Sequence, residues 1–95
     1  MFEWDPNKAS ANVTKHGVSF EEAATVFGDA NGMDGPDVRH SAGEPRLLRL
    51  GRSALGRVLM VAYTLRSTRN GETIRIISAR RASRNERAAY ASAED

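Results

Sequence analysis

No cysteine occurs anywhere in the 95 residues. Disulfides, thiolate nucleophiles and Cys-ligated zinc are therefore excluded. Long apolar runs are missing as well. The longest, Val58 to Tyr63, is far too short to span a bilayer. The start, Met-Phe-Glu-Trp-Asp-Pro, lacks the basic residues and apolar stretch of a signal peptide, so a cytoplasmic protein with no membrane partner is expected. Metal-ligand spacing is absent: His16 and His40 stand far apart, and no Asp-x-Asp pattern occurs. There is no Gly-x-Gly-x-x-Gly, no Walker loop and no Gly-x-Ser-x-Gly, and Gly51-Arg52-Ser53 reads as a turn. No metal or cofactor is expected.

Lysine is scarce too, and its scarcity exposes a charge split. Residues 1–38 hold seven acids against Lys8 and Lys15, net −5, whereas residues 39–95 hold all twelve arginines against five acids, net +7. The overall +2 conceals this division. Arginine presents a planar fork of donors that engages phosphate at two points and stays charged when partly buried. Such asymmetry points to a polyanion or an oppositely charged protein as partner. The competing reading is an Arg-rich solvent surface with no partner at all.

The length suits one domain, residues 1–95, with one small core. Phe2 and Trp4 alternate about Glu3 as a short opening strand. Asp5-Pro6 starts a helix that stops at Gly17, with Lys15 and His16 in its last turn. Ser19 and Glu22 form a capping box for a second helix, Val18 staples onto Ala23, and Phe20, Ala23, Ala24 and Phe27 make its buried face. Gly28 ends it. Residues 29–45, rich in Gly, Asp and Pro, read as the most mobile loop, with a short edge strand near Gly32–Asp34. Strands are expected at Arg46–Arg52, at Arg57–Arg66 (apolar on both faces, hence central) and at Glu72–Arg80. Asn70-Gly71 is a hairpin turn. Ser83 and Glu86 cap a last helix anchored by Tyr90, and Ala91–Asp95 is expected to fray. The order gives an α+β fold, with helices on one face or end of a curved antiparallel sheet.

Several arginines fall within the strands, where an unpaired buried charge is costly. Strict alternation over Ile74–Arg81 puts Ile74, Ile76, Ser78 and Arg80 on one face and Arg75, Ile77, Ala79 and Arg81 on the other. Each arginine alone is better explained by solvent or by a structural ion pair with a nearby Glu. Several converging suggest a phosphate site. His16 could be a helix-end cation only, and His40 reads as a surface residue of the loop. Trp4 and Tyr63 could stack on bases but are better placed in a core.

Trp4-Asp5-Pro6-Asn7-Lys8, Asn12 and Lys15 to Ala23 resemble the start of the BrnT family, toxins of bacterial type II toxin–antitoxin modules. Asp37 to His40, Glu44 with Arg46, Gly51, Arg66, Arg75 to Ala82, Glu86 and Tyr90 match its later blocks. Lys-His-Gly-Val-Ser-Phe and Arg-Ile-Ile-Ser-Ala-Arg are specific together, and the likeness covers nearly the whole chain. It implies a RelE-like fold with two N-terminal helices and a C-terminal helix, and metal-independent RNA cleavage that inhibits translation. It also implies a BrnA-type ribbon-helix-helix antitoxin through which the pair binds operator DNA. Metal-free cleavage needs a base for the 2′-hydroxyl, cations for the phosphorane and an acid for the leaving 5′-oxygen. Arg66 and Arg80 are the expected phosphate stabilisers, Glu44 or His16 the base or acid, and Lys15 a supporting cation. Arg46, Arg75, Arg81 and Arg87 would hold the RNA backbone. The alternatives are a non-catalytic nucleic-acid-binding module and a protein that only receives an acidic partner.

Overall fold

Asp5 and Pro6 begin the first helix as their chemistry dictates. In the computed structural model, which describes residues 1–40 and 43–94, strand β1 (Phe2–Glu3) leads into helix α1 (Pro6–His16). The Asn7 N–H donates to Asp5 Oδ1 at 2.8 Å, satisfying a first-turn donor. Gly17 closes the helix at φ 68°, a left-handed conformation that costs a Cβ-bearing residue about 1–2 kcal/mol.

Helix α2 (Phe20–Thr25) keeps only half of its capping box. The Glu22 N–H donates to Ser19 Oγ at 3.0 Å, but the Glu22 carboxylate does not return to the cap. It turns inward and accepts from Ser53 Oγ at 2.7 Å, from Arg57 Nε at 2.9 Å and from Arg57 Nη2. A bidentate, charge-assisted partner outcompetes one backbone amide. After α2 a 3-10 turn at Val26–Gly28 carries Phe27 to the core.

Strand β2 (Met33–Pro36) overlaps the edge strand expected near Gly32–Asp34 and runs two residues further, and a 3-10 turn at Val38–His40 adds order to the segment read as loop. Residues 41 and 42 of that segment lie outside the described residues. Strands β3 (Leu47–Arg52), β4 (Val58–Thr68) and β5 (Gly71–Arg81) form the meander, with Gly71 at φ 108° in its turn. Helix α3 (Arg84–Glu94) has the reciprocal capping box: the Ser83 N–H donates to Glu86 Oε1 at 2.8 Å and the Glu86 N–H to Ser83 Oγ at 3.2 Å. The helix continues to Glu94, where fraying was expected from Ala91, and Asp95 lies outside the described residues.

The strand order is β1-β5-β4-β3-β2, with β4 central as expected. The sheet is mixed rather than wholly antiparallel, because β1 pairs parallel to β5 (Phe2↔Ile74, Glu3↔Arg75). A parallel pair needs a long connection with helices, and α1 and α2 begin it. Cross-strand register then defines two faces. Val18, Phe20, Ala23 and Val26 pack against Leu59, Val61, Ile76 and Ala79, so α1 and α2 cover one face. Leu50, Ala82 and Tyr90 pack with Met33, Val58 and Met60 on the other. Helix α3 therefore sits opposite the first two helices, not beside them. The reason is visible in β4: both of its faces are apolar, and each needs cover. Because α3 covers only the β3 end of its face, the rest of that face is left open.

One irregularity decides what the open face displays. Ala62 pairs with Ser78 but Tyr63 pairs with Ile76, so Ile77 is the extra residue of a β-bulge. The bulge breaks the expected alternation. Arg75, opposite Thr64, and Arg80, opposite Met60, end on the same face. Asn12 pins the bulged edge to α1: its Nδ2 donates to the Val18 and Ala79 carbonyls at 2.9 and 2.8 Å, and its Oδ1 accepts from the Ala79 N–H at 3.2 Å.

Candidate functional site

The open face holds a cleft of about 500 Å³. Leu48, Met60 and Ala62 make its floor, β5 supplies Ser78 and Arg80, β3's start supplies Arg46, α1's end supplies His16, and the Val38–His40 turn with its flank supplies Asp37, Arg39 and His40. Each position has a local cause. His16 is in the last turn of α1, and Asn12 holds that helix against β5. Ser78 is turned outward by the Ile77 bulge. Asp37 and His40 are three residues apart on a helical turn, a spacing that brings side chains together.

Asp37 and His40 form the most chemically suggestive pair. His40 Nδ1 lies 3.2 Å from Asp37 Oδ2 and 3.3 Å from Oδ1. The Asp37 side chain is 10% exposed and that of His40 62%. In the tautomer that donates Nδ1–H to this carboxylate, Nε2 is the nitrogen left to accept a proton. Arg80 is held by a bidentate pair with Glu86, Nη1 to Oε1 at 2.7 Å and Nη2 to Oε2 at 2.9 Å. That guanidinium, first among the causes, holds the Glu86 carboxyl down at about 2. Arg80 is thus a positioned cation, not a flexible one.

Of the residues expected to act, His16, Arg46 and Arg80 meet in the cleft. Lys15 and Glu44 are exposed and do not line it. Arg66 and Arg75 share the open face but lie toward β1, 3.6 and 2.6 Å from Glu3 Oε2, an ion cluster of the kind that strand arginines often form. Arg81 points to the α1/α2 face because alternation resumes after the bulge, and with Arg87 it lines a different cavity. Trp4 packs edge-on against Phe20 and Tyr63 against Phe27, so both belong to the interior. Asp37, Arg39, His40 and Ser78 went unrecognised as cleft residues. The Asp-x-x-His spacing was the available signal. Among the described residues no three His, Asp or Glu side chains are grouped so as to hold a metal ion.

The fold and this chemistry can be set beside known proteins. No curated protein sequence matches the chain. The crystal structure of the Brucella abortus ribonuclease toxin BrnT is similar in fold, with a TM-score of 0.63 over 88% of this chain and 99% of that one, at 24% identity. Residues 4–86 match the family described as the ribonuclease toxin, BrnT, of type II toxin–antitoxin systems. The chain therefore belongs to the BrnT family of ribonuclease toxins.

Proposed function

We propose that the protein cleaves RNA in the open-face cleft, without a metal ion, by attack of a 2′-hydroxyl on the adjacent phosphate. The carrying observation is the Asp37–His40 pair beside Arg46, Arg80 and His16. One imidazole takes the 2′-hydroxyl proton as the O2′–P bond forms. The other delivers a proton to the 5′-oxygen as the P–O5′ bond breaks. Arg46 and Arg80 stabilise the charge on the phosphorane oxygens. The products carry a 2′,3′-cyclic phosphate and a 5′-hydroxyl, and DNA is inert. The roles first expected of Glu44 and Lys15 pass to residues that line the cleft. Arg66 and Arg75, farther along the same face, would follow the RNA backbone.

Membership of a type II family implies an antitoxin partner. We read that antitoxin as BrnA-type, with a ribbon-helix-helix domain carrying the pair to operator DNA, and the outcome of cleavage as arrest of translation in the cytoplasm. The resemblance blocks support this reading, and the layout of sheet and helices suits a RelE-type toxin. The test is purified protein, freed of partner, with RNA in EDTA, with and without ribosomes. Cleavage with cyclic-phosphate ends is expected, falling about 10²-fold or more in His40→Ala and Arg46→Ala. Wild type that binds RNA but leaves it intact in both conditions would instead favour the non-catalytic binding module.

A further inference from the structure

Arg52, Arg57, Arg81 and Arg87 converge on a second cavity, about 340 Å³, with Gly56, Val58, Tyr90 and Ala91. It lies where the β3–β4 turn, the end of β5 and α3 meet. Two of these guanidiniums have structural tasks. Arg57 is clamped by Glu22, whose side chain is only 5% exposed. Arg52 lies over the Tyr90 ring at 5.3 Å and donates to the Gly56 carbonyl at 3.3 Å. The other two have no carboxylate hydrogen bond among the described residues. Arg87 donates to the Ala82 carbonyl at 2.7 Å, and Arg81 meets Glu22 only through its charge.

Two nearby acids are committed elsewhere. Asp29 accepts from the Tyr90 hydroxyl at 2.5 Å and from the Arg52 N–H at 2.8 Å, while Glu86 is clamped on Arg80. Among the described residues, no acid lines the cavity. Arg81 and Arg87 line this concavity with, among the described residues, only the charge of the Glu22 carboxylate near them, and two guanidiniums in one cavity repel each other until an anion enters. The excess suits a doubly charged anion better than a single carboxylate, and forked donors match phosphate oxygens. We propose that this cavity is a second anion site, separate from the cleft, that takes a phosphate group. The phosphate is either on the backbone of a bound RNA or on a small free ion. The site stands without the ribonuclease reading.

The double variant Arg81→Gln/Arg87→Gln removes the two uncommitted guanidiniums and leaves the Glu22–Arg57 pair intact. Thermal unfolding is followed in inorganic phosphate and in chloride at matched ionic strength. Phosphate is expected to raise the wild-type midpoint by several degrees and to lose that effect in the double variant. Affinity for 2′-O-methyl RNA, which cannot undergo 2′-hydroxyl attack, is measured in parallel. A drop of roughly 10-fold, with a shallower salt dependence, assigns the site to RNA backbone. Unchanged RNA affinity with a lost phosphate effect assigns it to a free anion. Equal wild-type midpoints in phosphate and chloride, a result that needs no variant, would overturn the proposal. So would equal phosphate responses in the two proteins.

Discussion

Glu22 shows how one side chain can trade a local role for a distant one. Its sequence context asks for a cap, yet its carboxylate is buried between Ser53 and Arg57. The Arg57 hydrogen bonds hold that carboxyl below the usual acidic range, against the opposing effect of burial. Arg57→Ala should leave Glu22 buried and unpaired, at about 3 kcal/mol of stability measured by denaturant unfolding. The Arg80–Glu86 pair has a defined pH window. The Glu86 carboxyl sits at about 2, below its ordinary 4.5, so the stabilisation is complete above 4.5 and fades as pH falls through 2. Arg80 is 44% and Glu86 25% exposed, so solvent screening limits the pair to about 1 kcal/mol. Glu86→Gln should be less stable than wild type by that amount at pH 7, with the difference shrinking toward pH 2 and vanishing below it. Thr64 presents the opposite case: its buried Oγ1 has no hydrogen-bond partner among the described residues. Thr64→Val keeps the shape and removes the unsatisfied group, so the unfolding midpoint should rise, by about 1 kcal/mol in stability.

Among the elements, the β5 bulge and α1 act as one unit. Asn12 satisfies the Val18 carbonyl and both backbone groups of Ala79 just past Ile77. Asn12→Ala would orphan three buried backbone groups, and a loss of about 2–4 kcal/mol is expected in denaturant unfolding. Hydrogen exchange should rise first at Ala79, because that is where the bond is lost. Helix starts and stops were legible from Asp5, Gly17, Ser19 and Ser83, since caps and left-handed glycines act within a few residues. The bulge was not, because Ile77 fits a regular strand and only pairing with β4 reveals the extra residue. That single slip is why alternation separated Arg75 from Arg80.

For the molecule as a whole, the charge split becomes geometry. The acidic first two-fifths builds β1, α1, α2 and β2, and many of the arginines gather at the open face and the sheet end. If Arg39, Arg46 and Arg80 each neutralise one phosphate of single-stranded RNA, the cleft by itself contributes about −2 to the log–log slope of affinity against salt, and Arg66 and Arg75 add to it. Arg46→Ala should reduce its magnitude by about 0.7, measured with 2′-O-methyl RNA between about 50 and 200 mM salt. A slope near zero would show that the cleft does not grip the backbone.

By itself the sequence determined what depends on near neighbours. Caps, the Asn70-Gly71 hairpin, the central apolar strand and the bias of cations toward the C-terminal half are all written in contiguous residues. Family blocks carried the rest of that reading. Tertiary structure alone decided which charges pair and which side chains meet in the cleft. Arg66 and Arg75 turn to Glu3 and Arg57 to Glu22, whereas Arg80, steadied by Glu86, shares a cleft with Asp37, His40, His16 and Arg46, brought together from separate elements. Charge pairing depends on distance in space, which register, the bulge and the placement of α3 fix, and none of these can be read from spacing along the chain.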